Sequence, residues 1–283
     1  MRNCLNCGAE LGGAFCGHCG QRVVPADPTV SELASDVFQE LSGYDGRIAS
    51  TFRSLMHPGR LTIDFLQGRR ARHLSPVKLY LTVSVIYFLL AASAPLEMSS
   101  ASKTPTRTGG VSINLTDPGV NNGVPLTAED RVELEKSIAE APWFMRGMLK
   151  SIAEDAGGFR GRLFTIMPRV FFAMLPVFAG IVALFYRGRR FPTALVFAAH
   201  LHAFAFLAFS VAELAKMTRS PAIAMTVGGI VAVAFTWYAP SALRAVFGGG
   251  WLVTIAKALG IGLAYAIVSI PFFFVILIWA SLV

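Results

Sequence analysis

The sequence predicts an all-α integral membrane helical bundle of about five transmembrane helices, and three observations predict it. Hydrophobic residues make up 54% of the chain and charged residues 15%, with a mean hydropathy of +0.57, away from the balance of a soluble domain. Five apolar stretches approach or exceed the ~20 residues that cross a hydrocarbon core: Val77 to Ala94, Leu163 to Tyr186, Phe191 to Ala215, Pro221 to Ala239 and Ala258 to Val283. All four cysteines precede these stretches, in "CLNCGAELGGAFCGHCG". No apolar leader of the secretory kind precedes the cysteines.

The first element, residues 1–24, is set by cysteine spacing. Cys4-x-x-Cys7 and Cys16-x-x-Cys19 form two hooks, each followed by glycine, Gly8 and Gly20. A Cys-x-x-Cys turn lets both sulfurs face one ion, and two such turns make the closed tetrahedral set of structural zinc. The expected cofactor is therefore one structural Zn2+ on Cys4, Cys7, Cys16 and Cys19, with His18 as a bystander pointing outward. Two disulfides would belong to an oxidising compartment, and a redox pair would belong beside a βαβ pattern that this segment lacks. So short a segment has almost no core, and metal binding would supply its folding energy.

Residues 25–76 are expected to form amphipathic interfacial helices. Thr29-Val30-Ser31-Glu32 has the spacing of a capping box, and Val30, Leu33, Ala34, Val37, Phe38 and Leu41 recur at helical spacing. Gly43-Tyr44-Asp45-Gly46 breaks that helix. A second piece carries Ile48, Phe52, Leu55 and Met56 as far as His57-Pro58-Gly59, and a third carries Leu61, Phe65 and Leu66. From Arg47 to Lys78 the chain is basic: Arg47, Arg53, Arg60, Arg69, Arg70, Arg72 and Lys78 stand against one acid, Asp64. Basic amphipathic helices beside a span meet anionic lipid headgroups, and these seven residues are the candidate headgroup contacts. Packing against the cytoplasmic face of the bundle is the competing reading. The membrane accounts for the net charge of +8 without nucleic acid.

Residues 77–94 form the first span, and 95–162 the following extracytoplasmic segment. Its polar portion from Ser99 to Gly123 reads as a loop, and Thr127 to about Lys150 as a helix. Its eight basic and nine acidic residues show none of the bias of the earlier stretch. Residues 163–283 hold spans two to five. "PSALRAVFGGGWLVTIAKAL" can be read either as an interfacial helix or as the entry to a longer fifth span. The Arg187-Gly188-Arg189-Arg190 turn between spans two and three is the other dense basic cluster. Short basic loops stay cytoplasmic, so both clusters predict a cytoplasmic N-terminus and an extracytoplasmic C-terminus, and the reduced cytoplasm suits a Cys4 site.

Polar residues in the spans are the remaining candidate site, because hydrocarbon makes them costly. Glu213 and His202 lie eleven residues apart on the third span, on one stripe, with His200 on another face. Arg169 of span two would sit at the depth of Glu213. The functional reading of Arg169, His200, His202 and Glu213 is a polar track in a small oligomeric transporter or channel. The favoured reading is an ion pair of Arg169 with Glu213, plus histidines satisfied by helix carbonyls.

The cysteine ribbon followed by "TFRSLMHPGRLTIDFLQGRRARHLSPVKLYLTVSVIYFLL", "PRVFFAMLPVFAGIVALFYR" and "FPTALVFAAHLHAFAFLAF" resembles the bacterial membrane-protein family catalogued as domain of unknown function 3667. The resemblance runs from the ribbon through the third span, and the PG…G-x-R…P-to-span order is its most specific part. It implies an inner (cytoplasmic) membrane location and no activity. No nucleotide loop, nucleophile elbow or paired carboxylates occur. The sequence therefore favours a non-enzymatic module, docking a protein partner at the ribbon or sensing the inner leaflet, over a transporter, which with five spans would need to be a homo-oligomer, and over a lipid enzyme.

Overall fold

The computed structural model describes residues 3–23, 47–93, 120–121, 124–125, 128–154 and 156–282. The expected helix of residues 30–41, the Gly43–Gly46 break, most of the polar loop and Val283 lie outside the described residues. Among those described, the order is α1 (Ile48–Leu55), α2 (Arg60–Leu66), α3 (Pro76–Ser93), the antiparallel strands β1 (Val120–Asn121) and β2 (Val124–Pro125), α4 (Ala128–Glu140), α5 (Trp143–Glu154), α6 (Ala156–Phe185), α7 (Phe191–Met217), α8 (Pro221–Phe247) and α9 (Trp251–Leu282). Five of these helices, α3 and α6 to α9, are long and apolar enough to cross a membrane. The protein is a multi-pass helical membrane protein with an N-terminal cysteine cluster.

Local chemistry sets the boundaries. Pro76, Pro192 and Pro221 stand in the first turns of α3, α7 and α8, where a missing N–H costs nothing and the fixed φ is already helical. The helix expected from Thr127 to Lys150 is two helices, because Ala141-Pro142 separates α4 from α5. The stretch from residue 240 to 257 is divided between two spans, its last seven residues opening a longer fifth span. α8 continues through Pro240 to Phe247, and α9 begins at Trp251 after Gly248-Gly249-Gly250. Gly248 has φ +78°, and its amide donates to the Arg244 carbonyl at 2.9 Å, a helix stop that a glycine supplies without strain. The fourth span therefore ends eight residues beyond the expected Ala239, because a proline is tolerated within a membrane helix.

The chain divides into two compact units: residues 1–91 with 173–266, and residues 92–172 with 267–283. In the first, α7 is the central helix, with Phe197, Ala198, Ala199 and Ala203 all buried. α2 lies on it through Phe65 and Val196. Phe204 stacks on Tyr238 of α8, with ring centroids 3.5 Å apart and planes 5° from parallel. Tyr80 of α3 meets Phe206 edge-on. The second unit has its own core of Phe159, Ile166, Ile276 and Ala280, and Arg162 there donates to the Ala280 carbonyl and the Ser151 hydroxyl, both at 2.9 Å. α8 and α9 expose Ile230, Val233, Leu252, Leu259 and Leu263, a surface suited to lipid.

Candidate metal centre and the polar cluster beneath it

The two cysteine hooks are copies of one design. Cys4 N–H donates to Ala9 O at 2.8 Å and Gly8 N–H to Cys4 O at 2.8 Å, and the same bonds recur from Cys16 to Gln21 O and from Gly20 to Cys16 O. Gly8 and Gly20 have φ of +80° and +71°, which lets each hook close without a Cβ penalty. Isolated bridges pair Asn3 with Glu10 and Phe15 with Arg22. The four sulfurs lie within 4.8 Å of one another. Cys4 to Cys19 and Cys7 to Cys16 are each 3.6 Å apart, close to the ~3.8 Å edge of a tetrahedron with 2.3 Å metal–sulfur bonds. All four are free thiols, so the disulfide alternative is set aside. His18 is exposed.

Electrostatics favours a cation here. The Asn6 side chain, then the Gln21 amide, holds the Cys19 thiol down at about 6. The Cys19 and His18 amides lower Cys16. Cys7 goes the other way, up to about 12: the Ala9 amide lowers it, while burial and the adjacent thiols of Cys16, Cys19 and Cys4 together outweigh that. Four neighbouring thiols cannot all ionise alone, and a bound metal removes that conflict. The donor set and spacing fit a metal ion.

The centre is not a free appendage. Gln21, buried, donates from Nε2 to the Gly68 carbonyl at 2.6 Å, and its Oε1 accepts from the amides of Arg70 and Ala71 at 3.1 and 3.0 Å. Arg72 donates to the Asn6 carbonyl at 3.0 Å. Leu5 covers Gly68 so closely that a Cβ there would meet Leu5 Cδ1 at 2.5 Å. The loop joining α2 to α3 is thus gripped by the ribbon.

From the other side the same loop is held by α2. Arg69 forms an ion pair with Asp64, whose second oxygen faces His73 Nε2 at 3.3 Å. Burial pushes the Asp64 carboxyl up, but the hydrogen bond and charge of Arg69, then those of His73, leave it below its ordinary value. Burial lowers His73, against the opposing pull of Asp64. Thr62 Oγ1, two residues before Asp64 on α2, is 2.9 Å from Nδ1 of His200 on α7. His73 Nδ1 and His200 Nε2 are buried without a partner among the described residues. Thr51 caps the arrangement by accepting from the Leu74 amide at 2.9 Å.

The candidate headgroup residues divide. Arg69 and Arg72 are committed as above, and Arg70 lies over the Phe65 ring at 4.5 Å. Arg53 and Arg60 are exposed; Arg47 and Lys78 are half-buried at the entries to α1 and α3. Of the intramembrane candidates, the two histidines face different neighbours. His200 turns to α2, whereas His202 bonds the Ala198 carbonyl through Nδ1 at 2.9 Å and faces Tyr265 Oη of α9 at 3.3 Å. Among the described residues, Glu213 forms an ion pair with Lys216 at 2.7 Å, three residues on. A carboxylate one turn from a lysine is satisfied on its own helix. Arg169 is an exposed residue of α6.

A family model described as a protein of unknown function, DUF3667, matches residues 45–88, so the resemblance seen in the sequence is borne out over that stretch. It spans α1, α2, the gripped loop and most of α3, and includes Thr62, Asp64, Arg69 and His73. No curated protein and no solved structure matches the chain.

Proposed function

We propose that this chain is a non-enzymatic inner-membrane module, whose cytoplasmic head is a zinc ribbon mounted on the loop joining α2 to α3 and offered to a protein partner or to the inner leaflet. The observation that carries the reading is the grip of Gln21 on Gly68, Arg70 and Ala71. It makes the ribbon part of the wall from which α3 departs four residues after Arg72, so the ribbon stands at the membrane surface. Zinc is the metal that a closed thiolate set without an open position favours, and in such a site it holds structure rather than performing chemistry.

The orientation is supported by charge. The Gly59 turn lies against Ala242 and Ala245 near the end of α8, and Tyr186 after α6 stacks on Phe247, ring centroids 4.5 Å apart. The ribbon, the Arg187–Arg190 turn and Arg244 therefore share one end of the first unit, and the basic end of a membrane protein faces the cytoplasm.

Two measurements on the full chain test this. Metal analysis should find one zinc per chain, lost in Cys16→Ser with membrane insertion intact. A reporter active only in the cytoplasm should work before Met1 or within Arg187–Arg190 and fail after Val283. Metal-free protein prepared without chelator removes the ribbon reading, and reporter activity after Val283 removes the orientation.

A further inference from the structure

Besides Arg69, Arg70 and Arg72, a second set of cations stands at the surface of the protein. Arg187, Arg189 and Arg190 on the turn before α7 are exposed, as are Arg60 at the start of α2 and Arg244 in the last turn of α8. Contacts tie these segments together. Gly59, beside Arg60, is packed so tightly that its Cβ would come within 2.8 Å of Ala245 Cβ, beside Arg244. Tyr186, beside Arg187, stacks on Phe247 at the end of α8. Lys257 of α9 places Nζ 4.2 Å from the centroid of the same Tyr186 ring. The end of α8 is therefore ringed by cations from four segments.

Two further properties mark the ring as a surface for anions at a hydrocarbon boundary. Beneath the charges is an aromatic layer. The Arg244 guanidinium lies 4.6 Å over the half-exposed Trp251 ring while its Nε donates to the Gly249 carbonyl at 3.3 Å, and Tyr186 and Phe247 continue the layer. Tryptophan and tyrosine gather at the headgroup level, and long basic side chains lie along apolar surface with their charges in the polar zone. Stacking uses the face of a guanidinium and leaves its edge donors for phosphate oxygens. The described part of this unit is also poor in carboxylates. The described carboxylates of this unit are Glu10 on the ribbon, Asp64, engaged by Arg69 and His73, and Glu213, engaged by Lys216.

We propose that this collar around the end of α8, formed by Arg60, Arg187, Arg189, Arg190, Arg244 and Lys257, is the surface that binds the phosphate groups of anionic phospholipid. The basic loop at Gly68–Arg72 binds the ribbon instead. The proposal rests on the membrane placement given above and deepens it by naming the lipid and its contact residues.

The test uses full-length, metal-loaded protein in discs of mixed phosphatidylcholine and phosphatidylglycerol, reading by mass spectrometry the ratio of the two lipids that stay with the protein after mild detergent extraction. The wild type should retain phosphatidylglycerol in excess of its share. Arg187→Gln/Arg189→Gln/Arg190→Gln should lower that enrichment, by up to about fivefold for each charge at the surface. The matching lysine triple should keep it, and Arg69→Gln should leave it unchanged. If the glutamine triple does not fold, Arg60→Gln, in a separate segment, replaces it with a smaller loss expected. Unchanged enrichment in a folded, zinc-loaded glutamine variant would overturn the proposal. So would a wild type without enrichment, or a loss confined to Arg69→Gln. Zinc content and reporter orientation are read separately, so those results leave the proposed module standing.

Discussion

Gln21 and Gly68 are joined at 2.6 Å, side-chain amide to carbonyl, and the other end of the same side chain receives the amides of Arg70 and Ala71. One buried glutamine thus satisfies three backbone groups of a loop that has no regular structure of its own. A loop buried against another element must find partners for its peptide groups, and here the ribbon supplies them.

Gln21→Leu keeps the bulk and removes all three bonds. Leaving buried peptide groups unpaired costs ~1–3 kcal/mol, so the variant should melt earlier in detergent. The proposed zinc should stay bound, because the four thiols are untouched. Protease sensitivity should rise between Gly68 and Arg72. Loss of zinc together with stability would mean that Gln21 serves the metal centre rather than the dock.

Gly59 offers a second handle, at the other contact of the hairpin. Its φ is +76°, and a Cβ would fall 2.8 Å from Ala245 Cβ and 3.0 Å from the Ala242 carbonyl. The left-handed conformation alone costs an L-residue ~1–2 kcal/mol, and the clash with α8 adds to it. Gly59→Ala should therefore destabilise the protein by more than Gly188→Ala, where the Cβ meets nothing within 4 Å and φ is not positive. Equal melting of the two variants would show that the hairpin does not need its seat on α8.

Acid should loosen the loop from the α2 side. The folded pKa of His73 is lowered, first by burial, below its ordinary 6.5, so the fold prefers the neutral ring. That contribution is complete above pH 6.5 and is lost as pH falls from there through the folded value. Asp64 is also lowered, through Arg69 and His73, from its ordinary 3.8. Its contribution is present above that value and disappears further into acid. Stability should thus fall in two stages on acidification, and His73→Phe should flatten the upper one. Metal release is followed in the same samples, and the difference between variant and wild type cancels any thiol protonation they share. Identical slopes above about pH 5 would exclude His73 as the sensor.

Why some of this was legible in the sequence and some was not follows from what each feature depends on. The cysteine centre is local: two hooks with their own glycines and internal hydrogen bonds need nothing from the rest of the chain, so spacing alone predicts them. The spans are legible from length and apolarity, but the end of the fourth is misplaced because Pro240 reads as a stop in a soluble helix and is tolerated in a membrane one. The dock was not legible, since Gln21 carries no signal until it meets Gly68. Asp64 did leave a trace, as the one acid in a basic stretch. An isolated carboxylate among arginines is what a buried ion pair looks like before the fold is known. The expected Arg169–Glu213 pair rested on depth alone, and depth carries no sign of Lys216, one turn from Glu213 on its own helix.

The bond between Thr62 and His200 decides what the most buried histidine contributes. Thr62 Oγ1 and His200 Nδ1 lie 2.9 Å apart with both residues buried, and they tie α2 to the central helix α7. The sequence favours a His200 satisfied by the carbonyls of its own helix. The structure gives that arrangement to His202, through Ala198, and gives His200 a partner on another element. His200→Phe should accordingly strand the Thr62 hydroxyl and cost ~1–3 kcal/mol. Thr62→Val should strand the imidazole, and the double change should cost less than the sum. The coupling in this cycle should fall in the range of ~0.5–3 kcal/mol found for residues in contact, measured as shifts in detergent melting. His202→Phe paired with Thr62→Val is the control and should be additive, because His202 faces Tyr265. Additivity in the His200 cycle as well would mean that α2 is held on α7 by Phe65 and its apolar neighbours alone.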